Sequence, residues 1–254
     1  MTTTEEIFQY LCELAPLSLQ LDFDNAGLLV GRRAAAVERV LLALDITDEV
    51  IDEAAEKGCQ LIVSHHPLIF HKLRSVTDAT PDTRVLRLIE QGIGAICMHT
   101  NLDIAEGGVN DVLIELLGAS CEGALDPDGC GRIGTLPEAL SMPAFLALVK
   151  ERLSANGLRY YDAGKPVRRL AVMGGAGGES VHDAWEKGCD TYVTADLKYH
   201  QFQDAALYGL NLIDADHFST ENPVVPVLCA RLSARFPAVS FTVSEKHRAL
   251  IRFF

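Results

Sequence analysis

The sequence contains no run of apolar residues approaching the ~20 that a membrane-spanning helix requires, so no such helix is expected. It is also short of positive charge, with 22 Lys and Arg against 35 Asp and Glu and a net charge of -13. Phosphate backbones are gripped mainly by Lys and Arg, so a nucleic-acid partner is not expected. The compact basic groups, Lys165 with Arg168 and Arg169, and Lys246 to Arg248, read as solvated surface. Paired cysteines are missing too: the seven are odd in number, and none has the close spacing of a zinc knuckle or redox dithiol. They read as reduced, buried thiols. Met1 to Glu6 has neither a basic region nor an apolar stretch of the export type, and a cytoplasmic chain is expected.

What is present is ordinary globular material, 254 residues with 48% hydrophobic content, enough for one large core or two smaller ones. Strand-like and helix-like stretches alternate, as in parallel sheets with crossover helices. Strands are predicted at Val40–Ile46, Cys59–Ser64, Ile93–Met98, Leu170–Met173, Asp190–Thr194 and Leu210–Ala215. Thr47 should cap a helix carrying Val50, Ile51 and Ala54, and further helices are predicted at Pro81–Gln91, through Val112 to Leu117, and near His200. Glu56-Lys57-Gly58-Cys59 recurs as Glu186-Lys187-Gly188-Cys189, each at a helix-to-strand turn. Two related α/β units follow, expected at 1–126 and 127–240, with the link in Gly123–Gly131 and a segment 241–254 returning to the first unit.

Three stretches at the ends of predicted strands carry chemistry. Ser64-His65-His66-Pro67 follows an apolar strand, and His99 to Asp103 and His217 to Glu221 share one pattern, His, three residues, then an acid. Adjacent His65 and His66 can share a site only if the strand has ended, which Pro67 favours. Each imidazole can then take a different ion of a pair, while Asp103 and Glu221 supply oxygens and a carboxylate can bridge. A capping role for each acid is the alternative taken singly. His99 is expected as a support or occasional ligand, and as a proton carrier together with His200.

Asp24 and Asn25 lie in a turn-rich loop that is either a plain turn or a lid. Asp196 and Lys198 stand in the second unit's counterpart of the His-His loop; these four are the candidate substrate contacts. Gly174 to Gly178 lacks the Lys and Ser/Thr of a P-loop and reads as a flexible turn with weak phosphate potential. His71, His182 and His247 have no supporting pattern and are taken as structural.

Several of these motifs, in this order, resemble the GTP cyclohydrolase I type 2 homologues, also called NIF-three-like proteins. The resemblance covers nearly the whole chain. It rests on Asp24-Asn25-Ala26-Gly27-Leu28, Ser64-His65-His66-Pro67, His99 to Asp103 with Gly107-Gly108-Val109-Asn110-Asp111, Thr194 to His200, and Asp216 to Glu221. It implies a duplicated α/β fold whose halves face each other across a dinuclear metal cleft, and a homohexamer built as a trimer of dimers. It also implies His65, His66, Asp103, His217 and Glu221 as ligands of two divalent ions (zinc, manganese or iron), with Glu221 bridging. The name implies hydrolytic opening of the guanine imidazole ring of GTP with loss of formate; a non-enzymatic metal carrier or regulatory protein, or a ring merely braced by metal, is the alternative. The short link leaves no room for the domain inserted in longer relatives. Ala26 stands where the family often has Val, and Ala195 and Asp216 where Gly is common, so Asp216 is expected to add negative charge beside His217.

Overall fold

The computed structural model describes residues 1–79 and 83–253. The chain forms two compact units, one of residues 1–105 and 225–248, the other of 106–224 and 249–254. In the first stretch come α1 (Thr4–Leu14), β1 (Gly27–Val30), β2 (Arg39–Ala43), α2 (Asp48–Glu56), β3 (Leu61–Ser64), α3 (Arg84–Gln91), β4 (Gly94–Cys97) and α4 (Thr100–Ile104). The second unit holds α5 (Val109–Leu116), β5 (Ser120–Ala124), β6 (Arg132–Leu140), α6 (Met142–Arg152), β7 (Arg159–Tyr161), β8 (Val167–Val172), α7 (Val181–Glu186), β9 (Thr191–Thr194), α8 (Tyr199–Tyr208), β10 (Asn211–Asp214) and α9 (His217–Glu221). The chain then returns through α10 (Val224–Arg235) and β11 (Ser240–Val243) to the first sheet.

The first sheet has the order β1-β4-β3-β2-β11, parallel except for β1, and the second β5-β6-β8-β9-β10-β7, with β8, β9 and β10 parallel. The strands β2, β3 and β4 are apolar and buried along nearly their whole length, as strands covered on both faces must be. Leu41, Ile62 and Ala95 pack with Val50, Ile51 and Ala54 of α2 and Leu88 of α3. In the second sheet alternation divides two cores: Leu170, Val172, Val193 and Ile213 meet α5 and α6, while Ala171, Tyr192 and Leu212 meet α7 and α8.

Helix starts follow local chemistry. Thr47 accepts from Val50 N at 3.3 Å, and Thr3 and Glu6 form a reciprocal cap on α1. The helix predicted from Pro81 is seen from Arg84, its first residues lying outside the described ones.

The duplication is visible in register. Leu61 pairs Gly94 and Ser64 pairs Cys97, just as Thr191 pairs Asn211 and Thr194 pairs Asp214. The expected link, Gly123–Gly131, is instead the turn of the β5–β6 hairpin, closed by Gly129 N to Asp126 O at 3.2 Å. Its glycines and aspartates satisfy a hairpin turn as readily as a linker. The division between units falls at Ala105–Glu106.

All seven cysteines are thiols; Cys59, Cys97 and Cys189 are buried and Cys121 is exposed. Among the described residues, no helix is long and apolar enough to cross a membrane.

Candidate metal centre

β3 ends at Ser64 because the next two amides, of His65 and His66, both turn to the Leu44 carbonyl, at 3.2 and 2.9 Å. That turn brings the adjacent imidazoles together, their ring centroids 5.0 Å apart, with His99 at 5.3 and 5.7 Å from them. One donor atom from each of these three residues lies within 4.8 Å of the others. His99 thus belongs to the donor cluster itself. Asp103 Oδ1 stands 3.6 Å from His65 Nε2.

Each ring is held by the same nitrogen. His65, 1% exposed, has Nδ1 2.9 Å from the Met98 carbonyl. A carbonyl only accepts, so Nδ1 carries the proton and the lone pair falls on Nε2. His66 Nδ1 lies 2.6 Å from Asp45 Oδ1, and His99 Nδ1 2.7 Å from Asp24 Oδ1. Anchoring one ring nitrogen on a protein oxygen is how imidazole ligands are aimed.

The Asp24 side chain is wholly buried and also accepts from the Thr100 amide at 3.0 Å. Burial opposes its charge, but the His99 and Thr100 hydrogen bonds win and lower its pKa to about 2. Its neighbour Asn25 donates to the Ile69 carbonyl. The loop contains a turn, closed by Asp24 N to Leu21 O at 2.9 Å, from which the Asp24 side chain aims His99 and Asn25 ties the loop to the segment after His66. Asp45 accepts from His66 on one oxygen and from His247 Nε2, at 2.9 Å, on the other. Burial works against its charge too, yet hydrogen bonds from His247 and His66 hold its pKa far below the carboxylate range.

In the second unit His217 and Glu221 are the first and last residues of α9. Four positions apart, they share a face, with Nε2 3.1 Å from Glu221 Oε2. His217 Nδ1 lies 2.8 Å from Asp196 Oδ2, so this ring too is aimed by an acid.

The Gly174–Gly178 run is no flexible phosphate cradle. Gly174 N donates to Asn110 Oδ1 at 2.9 Å, Gly175 N to Thr220 Oγ1 and Gly177 N to Thr194 Oγ1, both at 3.0 Å, and Tyr192 donates to Gly177 O at 2.7 Å. These donors are consumed internally. The glycines are needed for close approach: a Cβ on Gly175, whose φ is +65°, would stand 2.1 Å from Glu221 Oε1.

Strand register shows that the two His-x-x-x-acid stretches, alike in pattern, are not equivalent positions of the duplication. With Cys97 equivalent to Asp214, His99 falls on Asp216, and both residues are N-caps of five-residue helices, α4 and α9. His217 is therefore the counterpart of Thr100. The acids lie inside these short helices, and each is followed along the chain by a longer one, Asp103 by α5 and Glu221 by α10. Asp216 caps α9 through its carboxylate, which accepts from Ser219 N at 3.3 Å and Oγ at 3.1 Å. Its φ of +70° explains why glycine suits this position.

Lys198 caps α8 by donating its amide to Gln201 Oε1 at 2.7 Å, and Lys198 is exposed, as is His200, the second residue of that helix. His200 belongs to no close donor group among the described residues. Sequence reasoning missed Asp45 and His247. The first stands at a strand end, a usable signal; the second sits in a segment with no motif.

A family model described as Duf34/NIF3 (NGG1p interacting factor 3) matches residues 2–249. The chain is 35% identical over 250 residues to a GTP cyclohydrolase 1 type 2 homolog of Clostridium perfringens, covering 95% of each. It is 37% identical over 229 residues to one of Clostridium acetobutylicum, covering 87% of this chain and 85% of that one. The crystal structure of a Bacillus cereus protein related to NIF3 superposes with a TM-score of 0.92 at 25% identity, covering 100% of this chain and 99% of the other.

Proposed function

Because the chain belongs to the Duf34/NIF3 family, we propose that it is a divalent-metal-dependent hydrolase acting on a nucleotide such as GTP. Its ligands for two ions are His65, His66, Asp103, His217 and Glu221. One observation carries this reading: every imidazole of the set has Nδ1 on a protein oxygen, which places the lone pair on Nε2, beside Asp103 for His65 and beside Glu221 for His217. Mixed nitrogen and oxygen donors suit zinc, manganese or iron. Bound ions would supply Lewis acidity, lowering the pKa of water and polarising the bond to be cleaved. The chain's own parts orient the donors, and His99, whose Nδ1 is fixed on Asp24, can carry a proton on Nε2. The guanine substrate comes from the names of the relatives; the homohexamer that the family resemblance implies is proposed as the working state, in the cytoplasm.

The test is elemental analysis of freshly isolated protein, followed by incubation of metal-loaded protein with GTP while formate is measured. Bound metal and formate release in wild type, both lost in His65→Ala, are expected. Metal-free wild type would sink the metal reading, and equal turnover by His65→Ala the catalytic one. A metal carrier is the second reading, favoured by the side-chain exposure of His217 and Asp196, 32% and 47%, which leaves donors open to exchange. Exchange of bound metal without turnover would mark that case.

A further inference from the structure

The geometry points to His247 as a positioning residue for His66, acting through the Asp45 carboxylate; this rests on the reading of His66 as a metal ligand. The two rings take the two oxygens of one carboxylate, His66 Nδ1 at 2.6 Å and His247 Nε2 at 2.9 Å. A carboxylate accepts and does not donate when ionised, so both rings donate to it. Asp45 is 40% exposed along its side chain, and His247 is 7% exposed. A half-exposed carboxylate held at one oxygen can swing toward water; held at both, it fixes the plane of the ring it faces.

His247 is itself fixed from behind. β11 runs parallel to β2 with Val243 opposite Leu42, and Ser244 N donates to Leu42 O at 2.8 Å, bringing the segment after β11 alongside the Asp45 turn. The His247 amide donates to Ser244 Oγ at 3.1 Å, and that hydroxyl donates to the buried Glu53 carboxylate of α2. A chain of contacts thus runs from a buried acid in α2 to the aim of His66. Partners behind an imidazole ligand carry roughly 10–100-fold in metal affinity.

Zinc affinity by chelator competition tests this on full-length wild type, His247→Leu, His247→Gln, Asp45→Asn and the double variant Asp45→Asn with His247→Leu. Circular dichroism of the metal-stripped proteins controls for folding. His247→Leu should bind zinc roughly 10–100-fold more weakly, and His247→Gln, which keeps an N–H donor for Asp45, should recover most of that loss. The double variant should bind no worse than Asp45→Asn alone, since both cut one link. Wild-type affinity in His247→Leu, equal weakening in the Gln and Leu variants, or additive losses in the double would overturn the inference. Should His247→Leu not fold, weakened Asp45→Asn with near-wild-type His247→Gln supports it, and wild-type affinity in Asp45→Asn overturns it. A wild type that binds no zinc overturns the metal reading and this inference with it; a zinc-binding wild type with unaffected variants overturns this inference alone.

Discussion

Gly175 and Gly164 share a left-handed backbone, at φ +65° and +73°, but differ in surroundings: an added Cβ meets the Glu221 carboxylate at the first and nothing within 4 Å at the second. Alanine at either should cost about 1–2 kcal/mol of stability through the backbone alone. Only at Gly175 must a proposed ligand move, and because the clash falls on the far end of a side chain, the carboxylate yields before the fold does. Urea melts should therefore group Gly175→Ala with Gly164→Ala, while metal content falls in Gly175→Ala alone. Full metal in Gly175→Ala would show that Glu221 does not need its present place. Asp216 offers a second contrast. Its φ of +70° is strained for a residue with Cβ, yet its carboxylate caps α9. Glycine removes strain of about 1–3 kcal/mol and loses a few tenths as a cap, whereas alanine keeps the strain and loses the cap, about 1 kcal/mol. Asp216→Gly should thus melt at or above wild type and Asp216→Ala below it; equal losses would refute the strain argument.

At the scale of elements, one side chain gathers several of the contacts that hold the segment after β11. Glu53 of α2, 2% exposed, accepts from the amides of Glu245 at 3.0 Å and Lys246 at 3.2 Å and from Lys57 Nζ at 2.6 Å. Burial pushes its pKa up, but the Glu245 amide, Lys57 and Ser244 outweigh it and lower the pKa to about 2. A carboxylate depressed in the folded state stabilises it fully above its unfolded value near 4.3 and loses that contribution as pH falls toward 2; the shift corresponds to about 3 kcal/mol. Glu53→Gln should lose a comparable amount at pH 7 and show a flatter decline in stability between pH 5 and 2, measured by urea unfolding. A decline as steep as wild type's would place the acid sensitivity elsewhere. Elements of this kind mark the limit of what the sequence discloses. The parallel strands were legible because Val40 to Leu44 and Leu61 to Val63 are continuous apolar runs, and Glu-Lys-Gly-Cys exposed the duplication. The strand end at His65 was legible from Pro67. The equivalence of His99 with Asp216 was not, since similarity of letters aligns His with His whereas strand pairing fixes the true register. Asp45 and His247 were hidden for a related reason: their roles arise from β11 lying beside β2, a contact between distant parts of the chain that no local pattern encodes.

For the whole molecule, the proposed ligands belong to both compact units, each of which has its own sheet and core. A ligand that binds only the folded state adds about 4 kcal/mol at a thousandfold excess over its Kd. In a chain of this length each kcal/mol raises Tm by about 2–4 °C, so loading should raise it by roughly 8–16 °C. The form of the transition is more telling than its midpoint. If His65, His66 and Asp103 share ions with His217 and Glu221, unfolding either unit forfeits the binding energy, and the loaded protein should unfold in one calorimetric transition. With metal removed by chelator, each unit is left to its own core, and the transition should broaden or split. Glu221→Ala should behave like chelated wild type even with metal present. A loaded protein that unfolds in two steps, only one of them shifted by metal, would confine the ions to one unit and overturn the shared ligand set.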